Sequence, residues 1–373
     1  MINSLTGLRA YAALLVFISH FYIFNYFVQL TQEPLRETLT QAGSLGVSLF
    51  FVLSGFVLTV NYLHPDKVFD VKGFYVARIA RIYPVFLLTT LMAVPFVILS
   101  PMKKSLWGTL VPTLLMVHCF HPYSCAALNR VGWSISHEWF FYLLFPLFLA
   151  ALVAKAPKRL GLYFVVFTVY LALMEIIVPH SYYATRSFPL NRVGEFLCGM
   201  AVGYLYLNSH NYPQLGQWFS NTRLRPVLLL ALVSLFTLMV LEPVFCYRHF
   251  LLHQLNFVYY LLPATVLIFG IAMAEKYGNA FWFLVHPWVL LGGEISYSFY
   301  LLHHLVLRVV IHFFTRILHV DLQHGVHIGW GILLVITTFV ITVAGSWWMY
   351  HTIEKPWRKR IVGFYRSKLQ TSS

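Results

Sequence analysis

The sequence predicts an all-α, polytopic bundle of transmembrane helices, and three observations carry that prediction. Of 373 residues, 59% are hydrophobic and only 10% charged, and the mean hydropathy is +0.72. A soluble globular chain carries about a quarter of its residues as charged groups, so most of this chain has nothing to present to water. The apolar residues also fall in long runs, close to the roughly twenty residues that a bilayer core demands. The formal charge of +14 then becomes a question of where basic residues sit relative to a membrane, and it does not point to nucleic acid. Collagen-like, disordered and disulfide-scaffold classes are excluded as well.

Taken in order, apolar windows place ten spans at roughly 8–28, 45–62, 83–99, 133–154, 160–178, 190–208, 224–242, 255–274, 292–316 and 326–351. Each must be helical, because lipid offers no partner for an open backbone edge. The 33 Phe, 23 Tyr and 10 Trp suit interfacial belts and bundle packing. An eleventh stretch, Leu106–Phe120, is short and interrupted by Pro112. Counting it as a span would put Lys155-Ala-Pro-Lys-Arg159 on the side opposite the basic loop Lys67–Arg81, so it reads as a half-helix or re-entrant segment. With the N-terminus inside, 17 Lys and Arg fall on the inner side. Eight fall in outer loops (Arg36, Lys103, Lys104, Arg130, Arg186, Arg192, Arg248 and Arg316), and Arg308 lies within a span. That bias favours both termini in the cytoplasm. The first apolar run is too long for a cleavable signal peptide, and no small-residue cleavage site follows it. Residues 1–355 read as one transmembrane domain and 356–373 as a short basic cytoplasmic tail, with no soluble domain.

Ionisable groups inside spans are costly, and each is a functional-site hypothesis. Arg9 and His20 stand eleven residues apart, which puts them on one helix face about 16 Å apart along the axis. Arg9 would sit at the inner mouth and His20 deep in the bundle. A topogenic arginine and a hydrogen-bonded core histidine is the plainer reading. Arg78 and Arg81, at i and i+3, share a face where the third span begins. Two forked guanidinium groups make a receptor for phosphates, although topogenic arginines would look the same. Glu138 lies a turn or so into its span, in Trp133-Ser-Ile-Ser-His-Glu-Trp-Phe-Phe-Tyr142. A buried carboxylate is expensive unless paired, and Trp133, Ser134 and Tyr142 can present hydrogen-bonding groups nearby. Structural pairing and chemistry are equally open to it. Tyr300 can share a face with either His303 or His304, and Glu354 can neutralise a basic residue at the inner boundary.

Other signals are weaker. Cys119 and Cys125 fall on the outer side, where a disulfide across the loop and two free thiols are both open readings. Cys119-Phe-His121 with Cys125 lacks metal-site spacing, and no metal is expected. His118, His121, His137, His180, His249, His253, His312, His319, His324 and His327 lie mostly near the outer boundary and read as interfacial or loop polar residues. The chain has no Gly-rich phosphate loop and no nucleophile elbow.

Together these pieces resemble the acyltransferase 3 family of integral-membrane acyltransferases, and the resemblance covers nearly the whole chain. Leu5-Thr-Gly-Leu-Arg-Ala10 followed by His20 is similar to the family's arginine, ten residues, histidine signature. Gly46-Val-Ser-Leu-Phe-Phe-Val-Leu-Ser-Gly-Phe56, which includes Ser54, resembles its second-span motif, with Ser48 where many members have aspartate. Arg78 and Arg81 match its paired arginines, and Trp133-Ser-Ile-Ser-His-Glu138 with Phe141-Tyr142 its tryptophan–serine–glutamate segment. Ser296-Tyr297, Tyr300 and His303 match the late tyrosine–histidine segment, and Glu354-Lys-Pro356 the closing one. Six motifs in order are specific where any single one is weak.

The resemblance implies a stand-alone O-acyltransferase of the bacterial inner membrane. It would move an acyl group, usually acetyl, from cytoplasmic acyl-coenzyme A to a hydroxyl of a cell-surface carbohydrate or glycolipid such as O-antigen, lipopolysaccharide, capsule or exopolysaccharide. Acetyl-coenzyme A would be a co-substrate, with no permanently bound cofactor and no nucleic-acid partner. On this reading Arg9, Arg78 and Arg81 bind the donor and His20 is the general base. Glu138 is a second catalytic candidate, and Ser54, Trp133, Ser134, Tyr142, Tyr297, Tyr300, His303 and Glu354 line or orient the pocket. A covalent acyl-histidine relay stays open beside direct transfer. A non-catalytic transporter or flippase of glycans or lipids is the alternative, since buried charges among ten helices suit that too.

Overall fold

The computed structural model describes residues 2–23, 33–64, 68–98, 105–121, 124–126, 128–153, 187–214, 256–321 and 328–371, with isolated helical positions between 162 and 237. Among the described residues every regular element is helical. In chain order they are α1 Asn3–Ile23, α2 Glu33–Tyr62, α3 Val71–Ile98, α4 Leu106–Leu114, α5 Trp133–Val153, α6 Val193–Leu207, α7 Asn256–Lys276, α8 Trp282–Val285, α9 Pro287–Arg316, α10 Ile328–Met349 and α11 Lys355–Thr371. Short 3-10 turns precede α5 and α6, and a π turn, Tyr350–Glu354, joins α10 to α11.

The all-α membrane architecture follows the sequence. Among the described residues, six stretches are long and apolar enough to cross a bilayer: Asn3–Phe21, Gly43–Tyr62, Val71–Ile98, Arg130–Leu152, Pro287–Arg316 and Gly329–Lys368. Helices α6 and α7, of 15 and 21 residues, stand where spans at 190–208 and 255–274 are expected. The expected spans at 160–178 and 224–242 lie outside the described residues, apart from isolated helical positions. The α-helix within Leu106–Phe120 is the nine-residue α4, about 14 Å long and too short to cross, and a 3-10 turn follows at His118–Phe120. The Ser105 hydroxyl caps it by accepting from the Gly108 amide at 3.2 Å. The chain leaves α4 through Met116 at φ 58, a left-handed conformation that a helix cannot continue through. Several helices outrun their apolar cores. Arg36, expected in a loop, lies within α2, and Arg78 and Arg81 belong to the first three turns of α3.

The chain divides into two compact units. The first contains α1, α2, α6, α7 and α8, and its core joins Leu8, Ala12, Leu49, Val52, Leu53, Phe56, Leu267 and Ile271. With lipid as solvent, helices associate through close van der Waals contact, which small residues permit. Gly55 of α2 and Gly199 of α6 serve this purpose. A Cβ on Gly55 would lie 2.1 Å from the Phe196 carbonyl oxygen, and one on Gly199 would lie 2.0 Å from that of Val52. The start of α1 is held by Glu275 of α7, whose carboxylate accepts from the Asn3 and Ser4 amides at 2.8 and 2.6 Å. That placement satisfies orphan donors and sets a negative charge at the positive end of the helix dipole.

The second unit contains α3, α4, most of α5, α9 from Ile295, α10 and α11. Its packing is aromatic: Phe74 of α3 stacks on Phe145 of α5 with centroids 5.1 Å apart, and the Tyr75 hydroxyl donates to the Leu143 carbonyl at 3.2 Å. Asp70 caps α3 by accepting from the Gly73 amide at 2.8 Å and also receives the Tyr365 hydroxyl of α11 at 3.4 Å.

Gly199→Val tests the α2–α6 contact. The added side chain must displace the backbone of α2, and overpacking of that kind costs about 1–3 kcal/mol or more. A thermal-denaturation midpoint in detergent well below that of the parent is expected, and an unchanged midpoint would show that the helices do not meet at this glycine.

Candidate functional site

In the first unit, α1 carries Arg9 and His20, both half-buried. The His20 Nδ1–H donates to the Val16 carbonyl at 2.7 Å. A carbonyl only accepts, so Nδ1 carries a proton, and in the neutral imidazole Nε2 is then the acceptor nitrogen. Ser54 lies half-buried on α2.

The same unit holds a charge pair that sequence reasoning missed. Arg192, assigned to an outer loop, is 1% exposed. Its Nε donates to Glu195 Oε2 at 2.6 Å, and its Nη2 donates to Glu195 Oε1 at 2.8 Å and to the Ser48 hydroxyl at 3.1 Å. Its guanidinium carbon also lies 5.2 Å from the Phe51 ring centre, within cation–π range. The misreading has a physical cause. An arginine at the head of an apolar run looks like a flanking anchor unless its i+3 partner is read with it, and Glu195 at that spacing was the available signal. Ser48 takes a neutral place beside a pair whose carboxylate comes from α6.

In the second unit Pro356 stands at the start of α11. Proline has no N–H and its ring crowds the carbonyl four residues back, here that of Thr352. The backbone widens over Tyr350–Glu354 into a π turn, a device often found at functional sites. The turn delivers Glu354, 1% exposed, to Arg81, with which it forms an ion pair. Ser298 of α9 donates to the other Glu354 oxygen at 2.8 Å. Tyr297 donates to the Ile82 carbonyl at 2.7 Å, and its ring centre lies 5.9 Å from the Arg81 guanidinium carbon. The expectation that Glu354 neutralises a basic residue holds, and Ser298 is an addition to it.

Beside this network the Tyr142 hydroxyl donates to the Glu138 carboxylate, one turn along α5. The Arg78 guanidinium carbon lies 5.8 Å from the ring centres of both Phe74 and Tyr142. Ser134 donates to the Val131 carbonyl at 3.3 Å, and Trp133 packs edge-on against His137 at 4.9 Å. Tyr300 and His303 are both buried on α9 with ring centres 5.9 Å apart. The His303 Nδ1–H donates to the Phe299 carbonyl at 3.2 Å. The structure thus groups Arg81, Glu354 and Tyr297, and groups Glu138, Tyr142 and Arg78, within one unit. Arg9, His20 and Ser54 belong to the other.

The loop before α5 corrects the reading of its histidines. Cys119 and Cys125 are joined by a disulfide. The closed loop buries His118 to 2% exposure, stacks it on Phe86 at 6.1 Å and ties its Nε2 to the Gly132 carbonyl at 3.1 Å. His137 is buried as well. His118 is not a solvated loop residue, because the disulfide and the Asn129 amide, which donates to the Leu301 carbonyl at 2.8 Å, tie its loop to the helices, and His137 is buried on α5 itself. Burial pulls the His118 imidazole down to about 4, against the opposing pull of its bond to Gly132.

A family model described as an acyltransferase domain matches residues 2–351. The chain belongs to the acyltransferase 3 family. This acyltransferase is 32% identical over 328 residues to "Acyltransferase MdmB" of Streptomyces mycarofaciens, covering 82% of this chain and 79% of that one. It is 27% identical to "Putative peptidoglycan O-acetyltransferase YrhL" of Bacillus subtilis, covering 96% of this chain and 55% of that one. It is 24% identical to "Peptidoglycan O-acetyltransferase OatA" of Listeria monocytogenes, covering 96% and 56%. The chain therefore spans little more than half the length of those two relatives. No solved structure matches it. Family membership makes the protein an enzyme and removes the transporter reading.

Two outcomes follow from this geometry. Glu354→Ala leaves the Arg81 guanidinium without its buried partner, and breaking such a pair costs about 3–5 kcal/mol. The acyltransferase should lose most of its thermal stability, with the double variant Arg81→Met/Glu354→Ala recovering part of it. Equal stability of the two variants would contradict the pairing. The second concerns acid. An unfolded histidine binds its proton near pH 6.5, whereas folded His118 stays neutral down to about 4. Its contribution is therefore present above pH 6.5 and lost as pH falls towards 4, a loss on the order of 3 kcal/mol. His118→Gln should flatten melting temperature against pH across that window, and a profile that keeps its slope would clear His118.

Proposed function

We propose that this acyltransferase moves an acetyl or other short acyl group from cytoplasmic acyl-coenzyme A to a hydroxyl of a cell-surface carbohydrate. It acts in the bacterial inner membrane with both termini cytoplasmic. The relatives named as peptidoglycan O-acetyltransferases support the acetyl group and the carbohydrate. The excess of basic residues on one side of the sequence's spans supports the orientation.

The observation that carries the chemistry is the His20 hydrogen bond. With Nδ1 committed to Val16, Nε2 takes the proton of the acceptor hydroxyl as its oxygen attacks the thioester carbonyl. The C–S bond then breaks, and the imidazolium returns the proton to the departing thiolate. Arg9, Arg78 and Arg81 take the phosphates of coenzyme A through charge-assisted contacts. Glu138, held by Tyr142, orients a reacting group, and Tyr300 and His303 shape the pocket for the acceptor. Arg81 meets its phosphate while still held by Glu354, so it is already aligned and its charge is shared.

The test is free coenzyme A released from acetyl-coenzyme A by purified protein and a peptidoglycan disaccharide, with the acetylated product identified by mass. Loss of general-base assistance costs about 10²–10⁴-fold in rate. His20→Gln keeps a hydrogen-bonding group without a titrating base, so it should fall by that much with donor binding retained. Turnover above about a tenth of the parent value would remove His20 as base. Joint loss of turnover and donor binding would make it part of the donor pocket.

A further inference from the structure

The six cations of α11 (Lys355, Arg358, Lys359, Arg360, Arg366 and Lys368) share a seventeen-residue helix with no acidic residue. All six are exposed. The helix does not trail free. It lies antiparallel along the first turns of α3, fastened at one end by Glu354 on Arg81 and at the other by Tyr365 on Asp70 and beside Gly73.

Those two contacts fix how each helix is turned. Arg81, Gly73 and the capping Asp70 mark the contact line on α3, and Tyr365, with Glu354 just before the first residue of α11, marks it on α11. A rotation of about 100° per residue then sorts the side chains of α11. Arg358 and Ile361 fall with Tyr365 towards α3. Lys355, Lys359 and Arg366 form a stripe about a quarter turn round from that line. Trp357, Arg360, Phe364 and Lys368 form another stripe about a quarter turn the other way, with Trp357 48% and Phe364 73% exposed. Arg78 lies about a quarter turn round α3 in the same sense as the first stripe. Because the helices are antiparallel, Lys355, Lys359 and Arg366 lie on the same side of the pair as Arg78, which is half-buried beside Tyr142 of α5.

This side has cations to spare where the motif arginines alone do not. Arg81 shares its charge with a buried carboxylate, and Arg78 lies between two aromatic rings. We propose that Lys355, Lys359 and Arg366 of α11, with Arg78, form the anion-binding surface for the phosphate groups of the acyl donor. The inference rests on the donor assignment made above and extends it to a helix that follows the matched family region, which ends at residue 351. Of these three α11 cations, only Lys355 falls in a family motif.

The test uses the full chain in nanodiscs of zwitterionic lipid, with Lys355→Gln/Lys359→Gln/Arg366→Gln as the stripe variant and Arg360→Gln/Lys368→Gln as a charge-removal control on the opposite face. Calorimetric titration with coenzyme A should show affinity weakened about tenfold or more in the stripe variant, the scale of a lost charge-assisted contact, and near-parental affinity in the control. The Michaelis constant for acetyl-coenzyme A should rise towards that for S-acetylpantetheine, which carries no phosphate. Equal weakening in both variants would reduce the effect to bulk charge and overturn the proposal. Unchanged coenzyme A affinity overturns it too. Loss of binding to phosphatidylglycerol vesicles in that case would make the stripe a lipid-headgroup surface. If the parent protein transfers acetyl from neither donor, the functional reading fails, while the coenzyme A titration still decides this inference.

Discussion

Charge in an apolar bundle must be matched where it lies, and each unit of this protein is organised round one such match. The desolvation of a guanidinium or a carboxylate is recovered only with good geometry and further hydrogen bonds. Arg192 meets this by gripping Glu195 with two nitrogens and Ser48 with one of them, which fastens α6 to α2. Arg81 meets it through Glu354, whose second oxygen takes Ser298, which fastens α3, α9 and the turn after α10. Moving any of these helices would strip a charge of its partner, so the pairs hold helix register as well as charge.

Close approach is the companion constraint. Hydrophobic attraction does not drive helices together inside lipid, so contact area has to come from backbones that nearly touch. Gly55 and Gly199 supply it between α2 and α6, within a turn or two of the Arg192 pair. In the second unit the filling is aromatic, with Phe74 and Tyr142 beside Arg78 and Phe145 stacked on Phe74. There an arginine is kept in apolar surroundings by ring faces.

The motif residues were legible because each breaks the rule of its surroundings. A glutamate within an apolar run, or arginines three residues apart at a helix start, stand out against lipid-facing sequence, so Glu138, Glu354, Arg78 and Arg81 could be singled out unaided. Ser298, Ser48 and Asn129 could not be. Their hydroxyl and amide groups are cheap to carry on any helix or loop, and they matter only because a particular carboxylate, guanidinium or carbonyl lies within reach. Arg192 and His118 were misplaced for a related reason. Polarity was taken as exposure, whereas an i+3 carboxylate buries the one and a disulfide-closed loop buries the other.

By itself the sequence determined the solvent. With a tenth of its residues charged and apolar runs of bilayer length, the backbone had to satisfy its hydrogen bonds within helices, and the order of six motifs along those helices pointed to the family. What only the tertiary structure decided is which charge answers which. Arg81 and Glu354 are separated by 273 positions, and nothing in the period of a helix relates residues so far apart. Their pairing is set by a π turn at one end and by the packing of α3 and α9 at the other. Local rules govern a helix, but the cost of a buried charge is settled by whatever the fold places beside it.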